Sequence, residues 1–453
     1  MNAQLPVGTL GVAMVAGGED VPARLERLPD SGWHLRVRWL IGVVTFFEGF
    51  DQLAIAYTLP SLSAEWGLST GQQALAITSG SVGMLIGAAS SGILADRVGR
   101  VNVVVLALAV TALSCMGLAI SPGFGWFLVL RFIQGLGIGG EVPAAATYIG
   151  ELAQSDRRGR FVLLYELVFP AGLTAVAIVA AWVVPVLGWR WVYGIGVLPA
   201  LLVGPILRLV PESPRWLAAS GRNERAVGVM ERIERAVQRS TGRPLPPVVA
   251  ITRAPSVRRR YLRRTVIVGL LWLFSYFANY GIASWLPTIY TGTFGLPVST
   301  ALTYSIATSV AGLLGAVAVA LLVDRIGRRA CLAGGSALAA VTFGVLAALG
   351  AGSPLQLLVL SAVGALFVFA VNLGLYLYAP ELYPTPMRAA GASLGGVWNR
   401  VGVIAGPLVV GAFAANLGLP AAFAALGVAM LAAAVTAATA EETRGRTLEE
   451  ISP

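Results

Sequence analysis

The chain has 453 residues, of which 57% are hydrophobic and only 12% charged. So little charge cannot coat a water-soluble body of this size, which excludes an ordinary globular protein. The net charge is +10, carried by 32 basic residues that are all arginine.

In chain order, residues 1–38 read as a flexible cytoplasmic tail. The apolar stretch from Val7 to Ala16 lacks a preceding basic region and is followed by acidic residues, so it does not read as a signal peptide. Long apolar runs then recur, each suited to a transmembrane helix. Twelve are predicted, at about 39–60, 75–95, 101–121, 126–150, 161–184, 191–210, 264–287, 301–323, 330–350, 355–379, 389–414 and 419–440. The fold class is an all-α polytopic membrane protein with twelve transmembrane helices in two pseudo-symmetric six-helix halves. The halves occupy 39–210 and 264–440, with a central loop over 211–263 and a tail over 441–453, both cytoplasmic.

With the N-terminus inside, 29 of the 32 arginines fall in cytoplasmic segments, the exceptions being Arg131, Arg190 and Arg400. That asymmetry predicts a multi-pass protein of the bacterial cell membrane with both termini in the cytoplasm. It also answers the suggestion of nucleic-acid binding. The 14 arginines from Arg208 to Arg264 belong to a loop facing solvent and lipid headgroups. Cys115 and Cys331 lie in opposite halves and predict no disulfide. The single His34 excludes a histidine-rich metal site and, with no nucleotide-binding loop, leaves neither metal, cofactor nor enzyme chemistry to expect. The expected partners are lipid, protons and a small solute, and the expected state is a monomer.

The duplication is written in the sequence. Gly92-Ile-Leu-Ala-Asp96-Arg97-Val-Gly99-Arg100 returns as Asp324-Arg325-Ile-Gly327-Arg328, and Glu151 with Arg158 returns as Glu381 with Arg388. The offsets are 228 and 230 residues. Two like halves of this kind are what a carrier working by alternating access requires.

The repeated loop resembles that of the major facilitator superfamily. Further pieces are similar to its sugar-porter branch and to the related aromatic-acid and nicotinate symporters. They are Arg131-Phe-Ile-Gln-Gly-Leu-Gly-Ile-Gly-Gly-Glu141, Tyr148-Ile-Gly-Glu151, Pro211-Glu-Ser-Pro-Arg-Trp-Leu217, Pro380-Glu-Leu-Tyr-Pro-Thr-Pro-Met-Arg388 and Glu442-Thr-Arg-Gly-Arg-Thr-Leu-Glu-Glu450. Glu48-Gly-Phe-Asp51, Trp285-Leu-Pro287 and Trp398-Asn-Arg400 resemble the aromatic-acid side. Where sugar porters carry paired glutamines on helix 7 and a Gln-Trp pair on helix 11, this chain has Phe274-Ser275 and Asn399-Arg400.

Charges inside the hydrocarbon are costly and mark function. Glu48 and Asp51 lie three apart on one helix face, and two close carboxylates resist joint ionisation, so the pair predicts a proton site. The resemblance implies that Asp51 pairs with Arg131 for proton coupling, the pair breaking on protonation; a static ion pair is the other reading. Arg400 lies about 18 Å from the cytoplasmic face, twelve residues past Arg388. Its planar, permanently charged fork suits a carboxylate. Glu166 is either its resting partner or a second proton site, and Glu141 is either structural or functional. Asn279, Tyr276, Tyr280, Tyr376, Trp398 and Asn399 complete the candidate solute contacts, with ordinary packing the competing reading for the aromatics.

At the cytoplasmic face Gly92, Asp96, Arg97, Gly99, Arg100, Glu151 and Arg158, with Asp324, Arg328, Glu381 and Arg388, are expected to form a gate whose ion pairs latch the two halves. The function expected is proton-coupled symport of a small organic acid, an aromatic carboxylate of benzoate or nicotinate type. The alternatives are sugar or polyol symport and proton-driven export of a drug or metabolite.

Overall fold

A computed structural model describes residues 21–152, 165, 167–248, 261–383 and 388–444, with the side chains of 380 and 388–396 left aside. Glu166 and Arg158, and the side chain of Arg388, therefore lie outside the described residues.

Eleven described helices are long and apolar enough to cross a membrane. They are span 1 (Gly32–Trp66), span 2 (Thr70–Val98), span 3 (Arg100–Ala119), span 5 (Val168–Leu187), span 6 (Arg190–Leu209), span 7 (Leu262–Phe294), span 8 (Val298–Ile326), span 9 (Arg328–Leu349), span 10 (Pro354–Glu381), span 11 (Arg388–Asn416) and span 12 (Leu419–Ala438). The twelfth is span 4, Phe124–Leu152. Its five glycines between Gly135 and Gly150, with Arg131 and Glu141, lower its hydropathy, and both charges are hidden inside the bundle.

The packing has two-fold internal order. Span 1 lies on span 5 as span 7 lies on span 11, and span 2 lies on span 4 as span 8 lies on span 10. Small residues permit the closest of these approaches. A methyl group on Gly135 or Gly139 of span 4 would strike the backbone of span 2, and one on Gly402 or Gly406 would strike that of span 7. The halves meet through spans 2 and 11, 5 and 8, and 1 and 7. Across that seam Tyr57 bonds Ser309 at 2.9 Å, and the Thr174 hydroxyl donates to the Ser309 carbonyl at 3.4 Å. Large apolar side chains such as Leu113, Leu314, Val341 and Val435 face outward, as lipid contact requires.

Three expectations need correction. Span 1 is longer at both ends than predicted, and Pro60 does not end it. Span 6 is broken: Arg190–Ile195, a 3₁₀ turn over Leu198–Leu202, then Val203–Leu209. Gly194, Gly196, Pro199, Gly204 and Pro205 supply weak helix formers throughout. Finally, the tail and central loop carry structure. A short helix, Val21–Glu26, docks against Asn223–Thr241, which buries Ala226, Val229, Met230, Ile233 and Val237 at helical spacing. Arg24 holds Glu234 with two bonds of 3.0 and 2.6 Å, and Arg27 adds a third at 2.6 Å. Burial pushes the Glu234 carboxyl up, but its two arginine partners outweigh that and hold it below the ordinary range.

Candidate transport site

Asp51 is fully enclosed, 1% exposed, where spans 1, 3, 4 and 6 converge. The break in span 6 explains how it fits. A methyl group on Gly196 would overlap the Asp51 carboxylate and come within 3.0 Å of the Cys115 sulfur. Arg131, also buried, makes no direct ion pair with Asp51 within 4 Å. It bonds instead to Gln134, whose amide donates to Cys115 at 3.0 Å, and Cys115 adjoins Asp51. The two charges thus act on each other across space, with Gln134 and Cys115 lying beside them. The expected contact pair is replaced here by a separated one. The guanidinium is seated against Gly80 of span 2, where a methyl group would lie 2.9 Å from Nη2.

Glu48, one turn before Asp51 on span 1, faces Glu141 of span 4 within hydrogen-bonding reach. Thr45 donates to Glu141 at 3.3 Å and bonds the Tyr165 hydroxyl at 2.5 Å. Sequence spacing pairs Glu48 with Asp51; the packed helices bring Glu48 to Glu141 as well.

Arg400 is 8% exposed and turned toward the seam between the halves. Its hydrogen bond among the described residues is a long one, 3.8 Å from Nη1 to the Met84 sulfur of span 2. No described carboxylate lies within ion-pair distance of it, while Glu141 and Tyr280 feel its charge. Beside it, span 7 carries Tyr280 stacked on Tyr276 with ring centroids 5.9 Å apart, and Tyr276 meets Tyr376 of span 10 through their hydroxyls at 3.3 Å. Trp272 completes the cluster edge-on to Tyr376, at 4.6 Å. Asn279 and Asn399 are buried as expected. Trp398 is not central in the same way: it is 39% exposed and covers Gly269 near the start of span 7.

Sequence reasoning missed Gln134, Cys115 and Gly196 around Asp51, and the buried polar side chains of Gln52, Trp272 and Asn372. Helical spacing holds a signal for three of them: Gln134 is one turn past Arg131, Trp272 one turn before Tyr276, and Asn372 one turn before Tyr376. The polar atoms Gln52 Oε1, Trp272 Nε1, Tyr280 OH, Asn372 Oδ1 and Asn399 Oδ1 are buried with no hydrogen-bond partner among the described residues. Such atoms are expensive to leave unpaired, and a polar solute reaching them would satisfy them.

At the arginine-rich end each half builds one copy of the same cluster. Arg100 pairs with Asp96 at 2.9 Å and Glu151 at 3.3 Å; Arg328 pairs with Asp324 at 2.7 Å and Glu381 at 2.9 Å. Ser213 donates to Glu151 as Thr443 does to Glu381. Glu212 accepts the first backbone N–H groups of span 3, and Glu442 those of span 9, each carboxylate lying at the positive end of a helix. Tyr148 and Tyr378 close the copies on the carbonyls of Pro211 and Glu441. The expectation that these pairs join the two halves is not met among the described residues: every one of them closes within its own half. Gly92 and Arg97 are exposed and take no part in these bonds. Gly99 and Gly327 turn the chain between helices at φ of 109° and 106°, a region that favours glycine.

Twelve membrane helices in two like halves, with buried charges at the seam, define a solute carrier. The chain belongs to the sugar (and other) transporter family of the major facilitator superfamily, matching it over residues 35–453. It is 34% identical to the niacin transporter of Acinetobacter baylyi over 446 residues, 95% of this chain and 99% of that one. It is 29% identical to the gallate transporter of Pseudomonas putida, covering 92% and 94%. In structure it is similar to the xylose transporter of Escherichia coli in an inward-open conformation, with a TM-score of 0.73 at 23% identity, covering 92% and 99%.

Proposed function

We propose that this carrier moves a small aromatic carboxylate of benzoate or nicotinate type together with a proton, by alternating access in the cell membrane. The observation that carries the reading is Arg400: a guanidinium 8% exposed at the seam, with a sulfur as its hydrogen-bond acceptor and no described carboxylate in contact. A buried arginine without a described carboxylate partner favours an anion, and a carboxylate matches its fork. Tyr276, Tyr280, Tyr376 and Trp272 offer faces for an aromatic ring and hydroxyl or indole groups for its substituents. The similarity to a niacin and a gallate transporter supports this class of solute. Asp51 is the proton acceptor, with Arg131 as its counter-charge, and Glu48 adds a second carboxylate one turn away. The end clusters brace the helix ends within each half, and both termini lie in the cytoplasm.

A sugar or polyol is the second reading, favoured by the buried Asn372 and Asn399 amides, whose carbonyl oxygens have no described partner. Competition in proteoliposomes separates the two. Nicotinate and benzoate should compete for uptake driven by an inward proton gradient, while xylose and glucose should not. Arg400→Ala should lower nicotinate affinity about 100-fold or more, the loss of a charge-assisted bidentate contact. Retained affinity rejects the carboxylate.

A further inference from the structure

Glu141 has no role in the reading above. It is 3% exposed in the middle of span 4, and among the described residues no N–H or hydroxyl donor reaches its Oε2. Its carboxyl faces that of Glu48 within hydrogen-bonding reach. An ionised carboxylate only accepts hydrogen bonds, so two in contact are joined only through a shared proton. Thr45 fixes the other oxygen of Glu141, and Tyr165 fixes Thr45.

Two further observations point from this pair to a path. A cavity with room for about one water molecule lies among Glu48, Asp51, Thr111 and Glu141. Neither Asp51 oxygen has an N–H or hydroxyl partner among the described residues, so the wall of that cavity is acidic and open to a proton-bearing water. On the opposite side Arg400, from the other half of the molecule, acts on Glu141 through its charge. Among the described residues, other titratable or charged groups facing the pair are Arg131 and Cys115 on the Asp51 side, Tyr165 beside Thr45, and Tyr276 and Tyr280 on span 7.

We propose that Glu141 is a proton-carrying group of the transport cycle, sharing one proton with Glu48 and receiving a second from Asp51 through the water-sized cavity. The charge of the pair then governs Arg400. With one proton the pair bears a single negative charge and attracts the guanidinium. The second proton leaves Asp51–H for the water as the water hands one on to the pair. The pair becomes neutral and Asp51 becomes an anion, free to draw on Arg131. Arg400, released from competition, accepts the carboxylate of the solute. This deepens the reading above and rests on it for the solute and for Asp51 as the proton acceptor.

The test has two arms on the full chain in lipid nanodiscs. Infrared difference spectra taken between about pH 5 and 9 should show a protonated carboxyl band that titrates in the native protein. Glu141→Gln should remove that band, and Glu141→Asp should keep it at a shifted position. A native spectrum unaltered in Glu141→Gln overturns the proposal, whatever the solute. In the second arm nicotinate affinity is measured against pH. Native protein should lose about tenfold per pH unit on the alkaline side, as uptake of one linked proton requires. Glu141→Gln should hold its affinity flat, and the native slope persisting in that variant overturns the gating of Arg400. Failure of native protein to bind nicotinate or benzoate rejects the solute assignment alone, and the infrared arm still decides Glu141.

Discussion

Asp51 occupies a site shaped around it by a missing side chain. Gly196 has ordinary helical dihedrals, so its glycine is needed for space rather than for backbone freedom. Gly196→Ala would force a methyl group onto the Asp51 carboxylate at an overpacking cost of about 1–3 kcal/mol. The carboxylate can relieve this only by leaving its place beside Cys115. The variant should therefore reproduce the phenotype of Asp51→Asn: nicotinate exchange between equal pools retained, and accumulation driven by a proton gradient lost. Measured exchange and accumulation in one proteoliposome preparation check this, and normal accumulation in Gly196→Ala would clear that glycine of any role in coupling. Gln134 and Cys115 look unremarkable in the sequence, since neither is charged. Only the packing of span 3 on span 4 places both beside an acid and a base.

Among the elements, the loops at the arginine-rich end show how far the duplication reaches. The offset of 230 residues that relates Glu151 to Glu381 also relates Glu212 to Glu442, Ser213 to Thr443 and Tyr148 to Tyr378. The segments after spans 6 and 12 are thus equivalent, each folding back to cap the first turn of span 3 or span 9. Their resemblance was legible in the sequence but hidden by different flanking residues, Pro-Glu-Ser against Glu-Glu-Thr. Burial pushes the Glu442 carboxyl up, yet the N–H groups of Arg444, Arg328, Arg329 and Thr443 outweigh it, and the group is held below its ordinary 4.5. A depressed carboxylate contributes stability above its unfolded value and loses it as pH falls through the folded one. The tail should therefore stay docked at neutral pH and release well below pH 4.5. Limited proteolysis after residue 438 as a function of pH reports this. Glu442→Gln should release the tail already at neutral pH, and a pH-independent cleavage rate in the native protein contradicts the cap.

At the scale of the whole molecule, the bonds seen across the seam among the described residues include Tyr57 to Ser309, Thr174 to Ser309, and Arg400 to Met84. A carrier needs a seam whose bonds can break, because its two states must differ by little. Tyr57 and Ser309 lie on the half of the bundle away from the arginine-rich end, so their bond holds that end closed. Tyr57→Phe removes one hydrogen bond and should shift the balance toward opening there by about 1 kcal/mol, roughly fivefold. Distances between spin labels on the 67–69 and 295–297 connections should report the added open population. An unchanged distribution would mean that apolar packing alone closes that end.

The number of spans, the duplication and the identity of the buried charges follow from sequence by itself, since hydrophobic length, arginine placement and repeated motifs are local properties of a chain in a bilayer. Span 6 shows the limit of that information: its hydropathy reads as one helix, while the break that admits Asp51 depends on what packs against it. The partners of the charges were decided by tertiary structure. Glu48 meets Glu141 from 93 positions away, Arg131 bonds Gln134 rather than Asp51, and the described end clusters close within halves rather than between them. Rotation and register of packed helices set those pairings, and periodicity along one helix carries no record of which face its neighbour presents.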